Sequence, residues 1–451
     1  MSTMQTAVVV RQPRPADTEL RQWRGALDLT HRAFDQLSSR VHEWHRAISD
    51  IPFRVLAEVP AVSHGAAPTR LLHDGITDGV YTAVRLSGTA ILGGATQVLK
   101  VAERSALAAQ VPAQARSVTG AKLVAAISGL VGDDMASRRN PLTPQLGFYL
   151  DNRRLRLTAD ALAAAYPQAG PRLAIFIHGL CCTEHAWAMF RGEQPADQHD
   201  YPARMAQLGY TPVFLRYNTG LHISQNGRGL SRALEKLVGA WPAPVKEIVL
   251  VGHSMGGLVA RAAAHSGAAQ RATWPGFVSR VFCIGAPHLG APLEQVVNTG
   301  VEKMERYALT RPLARILKIR SAGIKDLRQG ATHDADWRRR DLDALGDAPR
   351  ADIARIAQAR YHFIGSTLSG SPEDRLSQTL GDGLVNVASA TAHQLADADS
   401  ATLTRVGHVR LINHPQVWQW METLLRSSSP SARSTPSRSV ASVASTAPSA
   451  Y

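Results

Sequence analysis

A chain of 451 residues with 45% apolar content can bury a large core and form two or three structural units, which excludes a chain disordered as a whole. Its formal charge of +14 comes mostly from arginines scattered along helical segments without interleaved aromatics, so nucleic acid is not the expected partner. A solvated surface is the first reading of that charge, and peripheral contact with anionic lipid headgroups the second. The cysteines, adjacent Cys181 and Cys182 with a distant Cys283, form neither a disulfide framework nor a C-x-x-C metal spacing, and fit thiols in a reducing compartment.

At the N-terminus a four-residue apolar run before Arg11 is too short for the hydrophobic region of a secretory signal, so a cytoplasmic location is expected. From Thr18 to about Gln110 the pattern is helical, with Leu27, Phe34, Leu37 and Val41 at helix-compatible spacing and breaks at Pro52 and Pro60. The stretch Leu86–Leu99 falls short of a membrane span and reads first as a buried helix, second as a membrane-surface or acyl-chain contact. Further Ala- and Leu-rich pieces and a polar connection follow, so residues 1–145 are expected to be a mainly helical region of unknown role.

After Pro171 short apolar runs alternate with helical patterns: Leu173–His178, Pro212–Arg216, Glu247–Val251, Arg280–Ile284, Tyr361–Gly365 and Thr402–Val406. Such runs predict a mostly parallel sheet with helices on both faces, the core of a catalytic domain over 146–426. The interval between Ile284 and Tyr361 is too long for one crossover. It predicts a helical cap insertion at about 293–358, with amphipathic segments at Val301–Lys318 and Ile324–Leu327. The Ser/Ala/Pro-rich stretch 427–451 is expected to be disordered.

The chemistry is concentrated in Gly252-His253-Ser254-Met255-Gly256-Gly257, which follows an apolar strand and opens a small-residue helix. In that context it is a nucleophile elbow, with the serine hydroxyl presented at a helix N-terminus where the Met255 amide favours a developing oxyanion. A serine needs a base, and the base needs an acid, downstream in the chain. Asp382, flanked by Gly381 and Gly383 after a strand, is the candidate acid, with Asp374 as competitor. His408, after Gly407 at a strand end, is the candidate base, ahead of His414, which precedes Pro415 and fits the entry to the last helix. The second oxyanion amide falls to Leu180 in Phe176-Ile-His-Gly-Leu-Cys181, where Gly179 lets the loop bend and His178 braces it. Cys181 and Cys182 then read as pocket wall. The histidines form no metal-ligand cluster and no phosphate loop or dinucleotide fingerprint is present, so neither metal nor cofactor is expected.

Taken together, His178-Gly-Leu, the Ser254 elbow, Gly285-Ala-Pro-His-Leu-Gly-Ala-Pro292, Gly381-Asp-Gly-Leu-Val385 and Gly407-His408 resemble the α/β-hydrolase lipases and esterases. The likeness is greatest to bacterial hydrolases similar to the GPI inositol-deacylase catalytic domain and to triacylglycerol lipases, and it spans about residues 170–425. The resemblance implies an α/β-hydrolase fold and the triad Ser254, Asp382 and His408. The expected activity is hydrolysis of a small-molecule or lipid ester through an acyl-enzyme. Acyl transfer to another acceptor is an alternative outcome of the same intermediate, and a non-catalytic membrane- or partner-binding role of the fold is a third.

Overall fold

The computed structural model describes residues 24–32 and scattered positions up to 97, then 118–191, 200–290, 321–338, 351–373, 381–382, 384–392 and 399–427. The chain divides into two compact units. One comprises Met1–Gly120, Arg139–Leu142 and Glu302–Leu317; the other comprises Ala121–Arg138, Thr143–Val301 and Lys318–Tyr451. In the first unit residues 24–32 are helical, and the Asn140 amide donates to the Gly25 carbonyl at 3.2 Å and the Asp28 carboxylate at 3.0 Å. Leu86, at the start of a stretch expected to be buried, is helical and exposed. Most of the expected N-terminal helices, the segment Val301–Lys318, Asp374 and residues 428–451 lie outside the described residues.

The second unit is built on an eight-stranded sheet in the order β2-β1-β4-β3-β5-β6-β7-β8. Its strands are β1 (Gly147–Leu150), β2 (Arg153–Arg154), β3 (Arg172–Ile177), β4 (Thr211–Arg216), β5 (Glu247–His253), β6 (Val278–Ile284), β7 (Arg360–Thr367) and β8 (Asp399–Thr404). Strands β3 to β8 pair in parallel, while β1 runs antiparallel to both β2 and β4. All six strands expected from the apolar runs are present, and the mostly parallel architecture is the expected one. The differences lie at the edges: β1 and β2 do not stand out in the sequence, and β8 begins three residues earlier than the apolar pattern, at Asp399. β2, at the edge, is the exposed pair Arg153–Arg154, and β1 is a buried run of only four residues, too short to stand apart from the surrounding connection.

Successive strand residues point to opposite faces, and each face has its own core. On one, Leu173, Ile175, Ile177, Leu250, Cys283 and Phe363 pack with α4 (Ile223–Ala240) and α5 (Met255–Ala269). On the other, Phe176, Val251, Phe282 and Ile364 pack under Tyr201 and Met205 of α3 (Tyr201–Gln207). Trp418 and Met421 of α9 (Pro415–Arg426) cover the same face. Burying one such Leu, Ile or Phe side chain contributes about 1.5–3 kcal/mol, so the two cores hold the strand ends in fixed register. The remaining helices are α1 (Val118–Ser137), α2 (Ala159–Ala165), α6 (Ala322–Gln329), α7 (Asp334–Trp337) and α8 (Val387–Ala390). Among the described residues no helix is long and apolar enough to cross a membrane.

Candidate active site

The site forms where β5 turns into α5. Ser254 stands between them at φ 54°, ψ −125°, a left-handed conformation that a non-glycine residue adopts at a cost of about 1–3 kcal/mol. The surroundings hold it there: its amide donates to the Ile284 carbonyl of β6 at 2.8 Å, and its own carbonyl accepts from Gly257 at 3.0 Å. The flanking glycines are required by space. A Cβ at Gly256 would lie 2.1 Å from the Ile177 carbonyl oxygen, and one at Gly252 2.5 Å from the backbone of Gly256. Met255 opens the helix, and the first amides of a helix have no intrahelical carbonyl to bond.

Asp382 and His408 meet by a different route. Gly381, at φ 56°, turns the chain so tightly that a Cβ there would lie 1.9 Å from the Val385 carbonyl. One oxygen of the buried Asp382 carboxylate accepts from the amides of Leu384 (3.0 Å) and Val385 (2.9 Å), and the other faces His408 Nδ1 at 2.8 Å. The backbone repeats the link, with the His408 amide donating to the Asp382 carbonyl at 3.1 Å. A carboxylate only accepts, so in the neutral tautomer that fits this contact Nδ1 donates and Nε2 keeps its lone pair. No hydrogen bond joins the Ser254 hydroxyl to His408 among the described residues; such contacts commonly tighten only when substrate is bound. His414 stands elsewhere, as the residue preceding Pro415 at the start of α9, where its carbonyl accepts from the Tyr201 hydroxyl.

The loop after β3 borders the serine. Gly179 does not adopt a left-handed conformation; it is needed for close approach, since a Cβ there would lie 3.1 Å from the Ser254 Cβ and 3.3 Å from His253 Nδ1. The bend expected at Gly179 is made by Cys181, at φ 60°. His178 is buried against the Tyr217 ring and donates from Nδ1 to the Gly179 carbonyl at 2.9 Å, while the Tyr217 hydroxyl donates to the His178 carbonyl at 2.7 Å. Burial lowers the His178 pKa to about 4, so the imidazole braces the loop as a neutral group. Burial also raises both neighbouring thiols, Cys182 to about 11, with Cys181 adding to that rise. Thiols held protonated are poor nucleophiles.

Ser254, His408, Leu180, Cys181 and Cys182 line one cavity of about 510 Å³. The rest of its wall is apolar, including Met189, Leu384 and Ile412, with Ile324 and Leu327 of α6 supplied by the interval expected to form a cap. Pro287, on the segment that follows β6, also lines the cavity. His253 also reaches the cavity, a contribution the sequence does not disclose. Its Nε2 donates to the His408 carbonyl at 3.2 Å and its ring lies 5.0 Å from the His408 ring. Burial first, then the nearby His408, lowers its pKa to about 3. The pattern of the motif leaves that position open, so only the crossing of the two chain segments reveals it. Among the described residues no group of His, Cys, Asp and Glu could hold a metal ion.

With a mostly parallel eight-stranded sheet and a strained serine at the carboxyl end of a central strand, the architecture is decided. The second unit has the α/β-hydrolase fold. Residues 170–342 match the family profile described as the PGAP1-like alpha/beta domain. The match ends before β7, so Asp382 and His408 lie beyond it. Solved structures to which this chain is similar include the mature form of the Bacillus licheniformis lipase BlEst2, 18% identical over 57% of this chain and 93% of that one, with a TM-score of 0.37. Its propeptide form is 17% identical over 59% of this chain and 52% of that one, at 0.40. A lipase-esterase related protein from Clostridium acetobutylicum is 12% identical over 56% of this chain and 94% of that one, at 0.33. Comparison with curated proteins finds no match.

Proposed function

We propose that this α/β hydrolase cleaves carboxylic esters with an apolar acyl group, using Ser254 as nucleophile, His408 as base and Asp382 to fix and stabilise the imidazole. The observation that carries the reading is the convergence on one apolar cavity of a strained serine and a histidine whose far nitrogen is bonded to a buried carboxylate. His408 Nε2 takes the Ser254 proton as Oγ attacks the ester carbonyl; the oxyanion is met by the amides of Met255 and Leu180. The protonated imidazole then gives that proton to the departing alcohol, and a water activated by the same base resolves the acyl-enzyme. A cavity of about 510 Å³ with almost no polar wall supports an acyl chain as its occupant.

The test is turnover of a p-nitrophenyl ester series together with labelling by a fluorophosphonate probe. The wild-type chain turns over and labels, and Ser254→Ala does neither while keeping its thermal midpoint. Labelling of Ser254→Ala at the wild-type rate would falsify the assignment. Singly replacing His408 and His414 by Ala separates the two bases: loss of turnover only on replacing His414 overturns the triad as written.

A further inference from the structure

Helix α1 precedes β1 and lies outside the segment that matches the family profile, yet Ala121–Ser137 belongs to the same unit as Ser254 and touches two segments that border the cavity, the Cys181 loop and α6, as well as the loop after β4. The helix is broken at Val131, at φ −136° and ψ 22°. Near such a break, backbone carbonyls can be satisfied by side chains in place of the helical ladder. Here the Gly132 carbonyl accepts from the Asn218 amide at 2.7 Å, and the Gly129 carbonyl from the Ser321 hydroxyl at 2.6 Å. Asp133 accepts from the Ala322 amide at 2.9 Å, holding the first turn of α6, whose Ile324 and Leu327 wall the cavity.

The glycines of that break allow backbone to meet backbone. A Cβ at Gly220, on the loop after β4, would lie 2.2 Å from the Ser128 carbonyl oxygen and 2.6 Å from the Gly132 backbone. A Cβ at Gly129 would lie 2.2 Å from Cys181 Sγ and 3.3 Å from the Cys181 backbone nitrogen and Cα. Cys181 is the left-handed residue that follows Leu180, and its amide is tied to Thr219 Oγ1 at 3.3 Å on the loop seated against α1. Its thiol approaches the Ala126 carbonyl at 3.7 Å. Leu180 directly precedes Cys181, so a displacement of the Cys181 backbone is passed to the peptide units of Leu180.

We propose that α1 is a positioning element of the hydrolase site, in which Gly129 sets the turn at Cys181 and so the direction of the Leu180 amide toward the substrate oxyanion. The inference rests on the ester-hydrolase reading above. Gly129 touches no substrate; it acts through Cys181. A donor displaced by about 1 Å can cost on the order of 10²-fold in rate, because its bond strengthens only as the oxyanion forms.

The experiment is a double-mutant cycle in the full chain with a p-nitrophenyl ester. Gly129→Ala is expected to lower kcat by about tenfold or more with KM within about threefold. Measured against Cys181→Ala alone, where the atom 2.2 Å from the new methyl is gone, the same change costs less than about twofold. Restoration in that background separates positioning from a general loss of stability, which removal of a second buried atom would not repair. Equal losses in both backgrounds, or an unchanged kcat in Gly129→Ala, overturn the proposal. If Gly129→Ala does not fold, Asn218→Ala removes the tie to the Gly132 carbonyl instead. It must lower kcat at constant KM, and a change in KM alone overturns the proposal. A wild-type chain without ester turnover sinks the hydrolase reading, whereas an active wild type with an indifferent Gly129→Ala sinks the positioning role alone.

Discussion

Replacing Asp382 by Asn keeps the size of the side chain and tests what the carboxylate does for His408. In the native site one oxygen holds the Leu384 and Val385 amides and the other holds His408 Nδ1–H. An asparagine has one accepting oxygen for both places. If the oxygen stays with the two amides, the new NH2 faces Nδ1, which must present its lone pair, and the imidazole proton moves to Nε2. That tautomer cannot take the Ser254 proton. The opposite orientation restores the tautomer but sets the NH2 against two buried amides, at about 1–3 kcal/mol for each donor left unsatisfied, or ~2–6 kcal/mol in all. The productive orientation is then a minor one, present at roughly one part in 30 to one part in 10⁴. A loss of about 10⁴-fold in kcat, the size known for this substitution in a serine protease triad, corresponds to about 5.4 kcal/mol. We therefore expect Asp382→Asn to lower kcat on a p-nitrophenyl ester by about 30- to 10⁴-fold, with KM and the thermal midpoint nearly unchanged. A kcat within about tenfold of wild type would mean that Asp382 does not set the histidine tautomer.

Three further outcomes are expected. Gly256→Ala drives a methyl to 2.1 Å from the Ile177 carbonyl of a central strand, so urea denaturation should show a loss of more than about 3 kcal/mol; an unchanged midpoint would deny the close approach. His178 and His253, held at about 4 and about 3, stay neutral in the folded state while the unfolded chain takes up protons below its ordinary value of 6.5. Their contribution is complete above pH 6.5 and is lost as pH falls toward their folded values, by about 2 kcal/mol each at pH 5. The urea midpoint should drop between pH 7 and pH 5, less steeply in His178→Gln, and a flat profile would contradict it. Finally, Ile324→Trp fills part of the cavity, and the preferred ester should shorten by about two methylenes, each worth about fourfold in kcat/KM; an unmoved chain-length optimum would take the acyl group out of this cavity.

The elbow was legible because its constraints are local. A strand, a strained serine and glycines on either side of it are needed within six residues, and each leaves a mark in the sequence. The six parallel strands were legible because burial on both faces forces continuous apolar runs. β1 and β2 were not: the buried run Gly147–Leu150 is only four residues long, and β2 is the exposed pair Arg153–Arg154. The sequence pattern predicts a bend at Gly179, but the left-handed residue is Cys181 and the glycine is there to let Ser254 approach, a requirement imposed by a strand 75 residues away in the sequence.

The sequence by itself determined the sheet, the serine at its carboxyl edge and the order in which acid and base candidates follow, because backbone propensity and two-sided burial act over a few residues at a time. Only the tertiary structure decided that His408 and not His414 meets Asp382, that His253 leans on His408, and that a helix at 118–137 supports the loop at 181. Those are contacts between segments tens to hundreds of residues apart, and shape and hydrogen bonding across folded surfaces select them without requiring any short pattern along the chain.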